Sequence, residues 1–169
     1  MNNDRWLSLI VGLTRNWLAI NNNPILNTLR KPERLCTRKK IERLFAQGNG
    51  FMCFPYSVRW IEDADAATGA VPPVQVLVGV SKRRLHRAVD RNRVKRLTRE
   101  CYRLRKQELY DALDNLSAPP ILLSLNYVDT QLPDYHKLAQ KFDTLVLRLQ
   151  KEVALETIEP LEPLNPLNP

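Results

Sequence analysis

The stretch from Ser81 to Lys106 reads SKRRLHRAVDRNRVKRLTRECYRLRK and holds twelve Lys or Arg against two acids, Asp90 and Glu100. The rest of the chain holds fourteen basic and sixteen acidic side chains. All of the excess charge, +8 over 169 residues, therefore sits in one place. Charges this dense cannot be turned inward without partners. On a helix starting near Asp90, an acid suited to the N-cap or first turn, each residue advances by ~100°. With Arg91 at zero, Val94, Leu97, Cys101 and Leu104 fall between roughly 220° and 300°. Arg91, Asn92, Lys95, Arg96, Arg99, Arg103 and Lys106 fall between roughly 0° and 140°. One arc must lie on a core, and the other must meet water or a polyanion.

A solvated helix face usually mixes signs, because like charges at i,i+4 repel and opposite ones attract. Here Arg91/Lys95, Arg96/Arg99, Arg99/Arg103 and Arg103/Lys106 follow one another with no acid in that arc. The preference for arginine fits phosphate, since a guanidinium fork can pair two oxygens where lysine offers a point charge. Polyanion binding explains the composition better than solvation does.

The flanking segments say what the helix packs on. Lys31-Pro32 breaks the chain after the Asn21-Asn22-Asn23-Pro24 break, so residues 1–31 read as an extension and residues 32–155 as one domain. Glu33 to Gln47 reads as a first helix stopped by Gly48 and Gly50. Phe51 to Ile61 is strand-like, with Tyr56, Val58 and Trp60 alternating against Ser57 and Arg59, and Pro55 divides it. Glu62 to Pro73 is a loop whose acids read as a solvated turn. Val74 to Val80, apolar nearly throughout, reads as an inner strand. Ile121 to Tyr127 gives another strand after Pro119-Pro120. From Asp134 to about Ala154 the residues Tyr135, Leu138, Phe142, Leu145, Leu149 and Val153 form one apolar stripe of a helix. Residues 156–169, with proline at about every third position, read as a disordered, polyproline-leaning tail. The order helix, strands, helix, strand, helix makes an α+β domain of two layers.

Other classes are poorly supported. Cys36, Cys53 and Cys101 lack metal-ligand spacing and are odd in number, so they read as reduced, partly buried thiols of a cytoplasmic protein. No apolar run approaches ~18 residues, the length a membrane span needs. Trp6, Leu9, Ile10, Leu13, Trp17 and Ile20 recur at helical spacing. They leave open a dispensable extension or an amphipathic helix on a membrane surface or partner. His86 and His136 are isolated, and no Ser/His/Asp or Cys/His order suggests a self-sufficient nuclease.

Ser81-Lys82-Arg83, Ala88-Val89, Arg91-Asn92-Arg93-Val94-Lys95-Arg96 and Arg99-Glu100 together resemble the signature of the bacterial ribonuclease P protein family. The resemblance runs from about Arg34 to Gln150 and takes in a first helix ending Phe45-x-x-Gly48. It implies a mostly four-stranded sheet of the ribosomal protein S5 domain 2-like fold, with a left-handed βαβ crossover. Spacing alone would favour the right-handed form. It also implies that Arg91, Asn92, Arg93, Lys95, Arg96 and Arg99 bind a catalytic RNA. Phe45, Ile41, Arg38, Arg59, Ser81, Lys82 and Arg83 would border a cleft for the single-stranded 5′ leader of precursor tRNA. Ile41 and Thr37 depart from the aromatic and basic residues common there. Phe45 keeps two readings: an exposed ring that stacks on a base, or a core side chain. In such a ribonucleoprotein the RNA carries catalysis with Mg²⁺ held mainly by RNA. The protein binds no cofactor of its own and needs no membrane or further protein. The rival reading is a non-enzymatic ribosomal or other nucleic-acid-binding protein.

Overall fold

A computed structural model describes residues 28–63 and 72–158. The amphipathic N-terminal segment, Asp65 and the proline repeat from residue 159 onward lie outside the described residues.

A 3-10 turn at Lys31–Glu33 opens the fold. The first α-helix, α1, spans Arg38–Gln47 and begins later than the charged run from Glu33 suggests. Arg34 to Thr37 are extended instead, and the Leu35 amide donates to the Val76 carbonyl at 3.0 Å. Two buried side chains hold this segment out of the helix: Glu33, which turns toward a lysine, and Leu35, which turns toward the sheet. Helix α1 stops at Gly48, where a Cβ would lie 2.3 Å from the Leu44 carbonyl oxygen.

Strands β1 (Asn49–Cys53) and β2 (Tyr56–Glu62) form a hairpin turned at Phe54-Pro55, so Pro55 does divide the strand-like run. Strand β3 (Val74–Val80), helix α2 (Ala88–Asn115), strand β4 (Ile121–Tyr127) and helix α3 (Tyr135–Ile158) follow. The sheet order is β1-β2-β4-β3, with β4 antiparallel to β2 and parallel to β3. The parallel pair needs the long crossover that α2 supplies.

Strand β3 is thus an edge strand, not the inner strand its apolar run suggested. Both of its faces are covered, which accounts for the composition: Val74, Val76 and Val78 enter the main core, and Leu77 packs beneath α1. Its outer edge is partly closed by the parallel bridge from Arg34 to Val76, one way that proteins blunt an open edge.

Alternation sorts the sheet into two faces. Tyr56, Val58, Trp60, Ile121, Leu123, Leu125 and Tyr127 point to α2 and α3 and build the main core. The α3 stripe enters it as its spacing predicts, through Leu138, Phe142, Leu145, Leu149 and Val153, with Val146 added. Asp134 caps that helix, its carboxylate accepting from the His136 and Lys137 amides at 3.1 and 3.3 Å. On the opposite face a small cluster of Leu35, Leu44 and Leu122, flanked by Ile41 and Ile61, seats α1. Only part of that second face is covered by α1. The folded contacts reach back to Thr28 and Leu29, a few residues ahead of Pro32.

Candidate nucleic-acid interface

Helix α2 meets the core through Val94, Thr98, Cys101, Tyr102, Leu109 and Leu113. This seam is rotated from the arc read on the sequence: Leu97 is only partly buried and Leu104 is 38% exposed. Thr98 takes the place of an apolar residue by satisfying its hydroxyl twice. It donates to the Val94 carbonyl at 2.9 Å and bonds the Tyr56 hydroxyl at 2.8 Å. Tyr56 in turn sits edge-on to Tyr127 and Phe142, with centroids 5.8 and 5.9 Å away.

On the outer side of α2, Asn92, Arg93, Arg96 and Arg99 are exposed, Lys95 is half-buried, and Val89 is 77% exposed beside them. Among the described residues Arg93, Lys95, Arg96 and Arg99 have no carboxylate partner. Three of the expected solvated cations behave otherwise. Lys106 is buried and pairs with Glu33. Arg103 grips Glu100 through both carboxylate oxygens, at 2.9 and 2.6 Å. The same contact holds the Glu100 carboxyl below its ordinary pKa. Arg91 turns back to donate to the Leu85 and His86 carbonyls at 3.0 and 2.6 Å.

Arg91 thereby fixes the connector between β3 and α2. Leu85 is buried in the core, and the Arg84 and Leu85 amides both donate to the Ser81 carbonyl. The Ser81 hydroxyl accepts from the Arg83 amide at 3.2 Å. This tight turn leaves Lys82, Arg83, Arg84 and Arg87 exposed at the end of the sheet.

The second set of candidates lies on the sheet face that α1 leaves open. Phe45 is 40% exposed, so it is not a core residue. The Arg59 guanidinium lies 5.9 Å from its ring centroid and donates to its carbonyl at 3.0 Å. Ile41 is half-buried in the cluster that docks α1. Arg38 is open to solvent and pairs with Glu42, one turn on, at 2.8 Å. Register then places Arg59 opposite Ser124 and Leu77, and Ser57 opposite Asn126 and Gly79. From Arg59 to Ser81, four residues along β3 and two strands across, is about 16 Å from ideal strand spacings. The two ends of this surface could be touched together only by an extended ligand.

Three residues of that surface, Met52, Ser57 and Asn126, were missed. Met52, 55% exposed, pairs in register with Ser57. The Asn126 amide donates to the Ser124 hydroxyl at 3.1 Å and covers Gly79, where a Cβ would lie 2.0 Å from its Oδ1. The signal was present in the alternation of β4, since Leu122, Ser124 and Asn126 share one parity and grow more polar away from α1. Asp63, read as part of a solvated turn, is buried and takes Lys40 at 2.5 Å and Arg43 at 3.1 Å. Cys36 is exposed, Cys53 half-buried and Cys101 buried. Among the described residues no three His, Cys, Asp or Glu side chains converge as metal ligands. No helix among them is long and apolar enough to cross a membrane.

A basic outer face on α2 and a polar open sheet face fit the resemblance, and comparison with known proteins decides it. The family model described as Ribonuclease P matches residues 29–150. The chain belongs to the ribonuclease P protein family. A curated relative, the ribonuclease P protein component of Porphyromonas gingivalis, is 35% identical over 133 residues, covering 78% of this chain and 93% of the relative. The ribonuclease P protein component of Chlorobaculum tepidum is 44% identical over 92 residues, 52% of this chain and 56% of its own length. The solved ribonuclease P protein of Staphylococcus aureus superposes with a TM-score of 0.52 at 17% identity, covering 72% of this chain and 97% of that one. That of Thermotoga maritima gives 0.51 at 17%, over 68% and 96%. At such identities the superpositions speak for the fold, and the family assignment rests on the sequence matches.

Proposed function

We propose that this chain is the RNA-binding protein subunit of ribonuclease P. It assists a catalytic RNA in removing the 5′ leader from precursor tRNA. The observation that carries the reading is a family-matched helix whose exposed Arg93, Arg96 and Arg99, with Asn92 beside them, have no carboxylate partner among the described residues. Phosphate is the partner such a face suits, and the RNA subunit is its source.

The leader is assigned to the other face of the sheet. Phe45 offers a ring held by Arg59, and single-stranded bases stack on such a platform. Ser57 and Asn126 supply hydrogen-bonding groups beyond it, and the buried Ser124 hydroxyl holds the Asn126 amide in place. Lys82 and Arg83 supply cations at the far end of the roughly 16 Å path. The two RNAs would therefore meet opposite sides of one sheet. Hydrolysis is assigned to the RNA, with Mg²⁺ held mainly there, and the protein positions substrate.

The test is reconstitution with a bacterial ribonuclease P RNA and a precursor tRNA. The expected result is leader removal at low Mg²⁺ only when both RNA and protein are present. Cleavage by the isolated chain, or no stimulation of the RNA, would overturn the reading.

A further inference from the structure

Between the Thr28–Arg34 segment and helix α2 lies a groove of about 470 Å³. Arg34, Arg96, Arg99 and Arg103 line it, with Glu100 as its one acid. On α2 the three arginines step by three and four, so they fall within roughly 60° of one another and about 10 Å along the axis. Arg34 enters from the opposite side of the groove, on a segment far away in sequence. Glu100 offsets only Arg103, which takes both of its oxygens, and leaves Arg34, Arg96 and Arg99 without a carboxylate partner among the described residues. Arg34 spends one of its five donors on the Leu29 carbonyl at 3.2 Å, and the fork keeps the rest for a ligand.

The segment that carries Arg34 is held by a buried clamp. Lys106 pairs with Glu33 and donates to the Thr28 carbonyl at 2.6 Å. Glu33 also accepts from the Tyr110 hydroxyl at 3.2 Å and from the Arg30 amide at 2.5 Å. A buried ion pair is commonly no more stabilising than a well-packed apolar pair. What this one does add is direction: it fixes the register of a short segment on α2 and with it the place of Arg34.

We propose that this groove is a phosphodiester-backbone site for the RNA subunit, built from two distant parts of the chain and kept in shape by the Lys106–Glu33 clamp. The proposal rests on the functional reading above and extends the RNA face beyond the Arg91–Arg96 motif. Its occupant follows from continuity and sign. Arg96 and Arg99 already belong to the exposed face of α2, and four guanidinium groups around one paired carboxylate call for a polyanion. The leader surface lies on the other side of the sheet.

The experiment is binding of the full-length chain to the RNA subunit across a salt series. Arg34→Ala, at an exposed position, should lower the slope of log K against log salt by about 0.7–0.9. It should weaken binding at physiological salt by about three- to tenfold. Arg34→Lys should restore most of the slope, since a charge near phosphate is what the slope counts. Glu33→Ala keeps the Arg34 side chain but releases the segment that positions it, and should produce the same loss. The double variant Glu33→Ala/Arg34→Ala should lose no more than either alone. If Glu33→Ala does not fold, Arg34→Glu replaces it and should lose more than Arg34→Ala. A steep wild-type slope that Arg34→Ala leaves unchanged overturns this inference and spares the functional reading. A shallow wild-type slope overturns both. A loss confined to precursor tRNA binding by preassembled holoenzyme assigns the groove to substrate and overturns the occupant named here.

Discussion

The two halves of helix α2 use the same residue types for opposite ends. In the first half, Arg93, Lys95, Arg96 and Arg99 stand without carboxylate partners among the described residues. In the second half every cation is matched: Arg103 to Glu100, Arg105 to Asp143 and Lys106 to Glu33. The sequence presents both halves as one continuous basic run. Folding divides them: the N-terminal segment supplies Glu33 to Lys106 and α3 supplies Asp143 to Arg105, while Arg103 takes Glu100 of its own helix. The first half passes the open end of the sheet, and its own acids, Asp90 and Glu100, pair with none of these four cations among the described residues. A cation with an internal partner serves the fold, and a cation without one is left for an external anion.

The sharpest way to break this division is to remove Lys106. Lys106→Ala leaves the Glu33 carboxylate buried, with only the Tyr110 hydroxyl and the Arg30 amide to satisfy it. A broken buried pair typically costs about 3–5 kcal/mol, so urea unfolding should show a loss of that order. A loss below about 0.5 kcal/mol, the range of ordinary surface substitutions, would put Lys106 with the solvated cations. It would also erase the contrast between the two halves.

Alkali tests the core that the second half seals. Burial raises the Cys101 thiol from its ordinary 9.0 to about 11 and the Tyr127 hydroxyl to about 12, and pushes Tyr56 up as well. The folded state thus keeps protons that the unfolded chain releases. This contribution to stability is whole below pH 9 and is lost as pH rises from 9 through 11. The unfolding midpoint should stay level from pH 7 to about 8.5 and then fall. A midpoint that rises between pH 9 and 11 would contradict the burial assigned to these groups.

The other contrast, between the two sheet faces, is sharpened at Phe45. Its ring is substantially exposed, so Phe45→Ala should change stability little. If it stacks on a leader base, the holoenzyme should bind precursor tRNA about 1–3 kcal/mol more weakly. Binding of mature tRNA, which lacks the leader, should hardly change. Equal losses for both substrates, at unchanged assembly, would remove the leader from this face.

Much of this architecture was legible because periodicity survives without neighbours. The α3 stripe from Leu138 to Val153 and the alternation of Tyr56, Val58 and Trp60 state their own buried sides. What was not legible depends on partners remote in sequence. Nothing local tells that Lys106 meets Glu33, that Asp63 meets Lys40 and Arg43, or that β3 lies at an edge closed by Arg34. The apolar arc of α2 was misplaced for the same reason. Thr98 belongs in the core only because the Tyr56 hydroxyl is there to meet it, and Leu104 is left outside. Helical spacing found Arg91, Asn92, Lys95, Arg96 and Arg99, resemblance added Arg93, and Met52 required the strand register.

The smallest expected effect separates two neighbours in the motif. Arg96 is exposed and touches no carbonyl or carboxylate among the described residues, so Arg96→Ala should leave stability within about 0.5 kcal/mol. It should lower the salt slope for RNA binding by about 0.7–0.9, one phosphate contact. Arg91 carries the same charge one and a half turns earlier, yet its guanidinium is engaged by the Leu85 and His86 carbonyls. Hydrogen bonds from a charged donor are worth about 1.5–3 kcal/mol, so Arg91→Ala should cost stability as well as affinity. Part of its affinity loss would come from a loosened Ser81–Arg87 turn, and that part would be independent of salt. Measuring both slopes and both unfolding curves resolves the matter. If Arg91→Ala matches Arg96→Ala in slope with no loss of stability, its carbonyl contacts hold nothing. If it destabilises with the slope intact, Arg91 belongs to the fold, and the RNA face begins at Asn92.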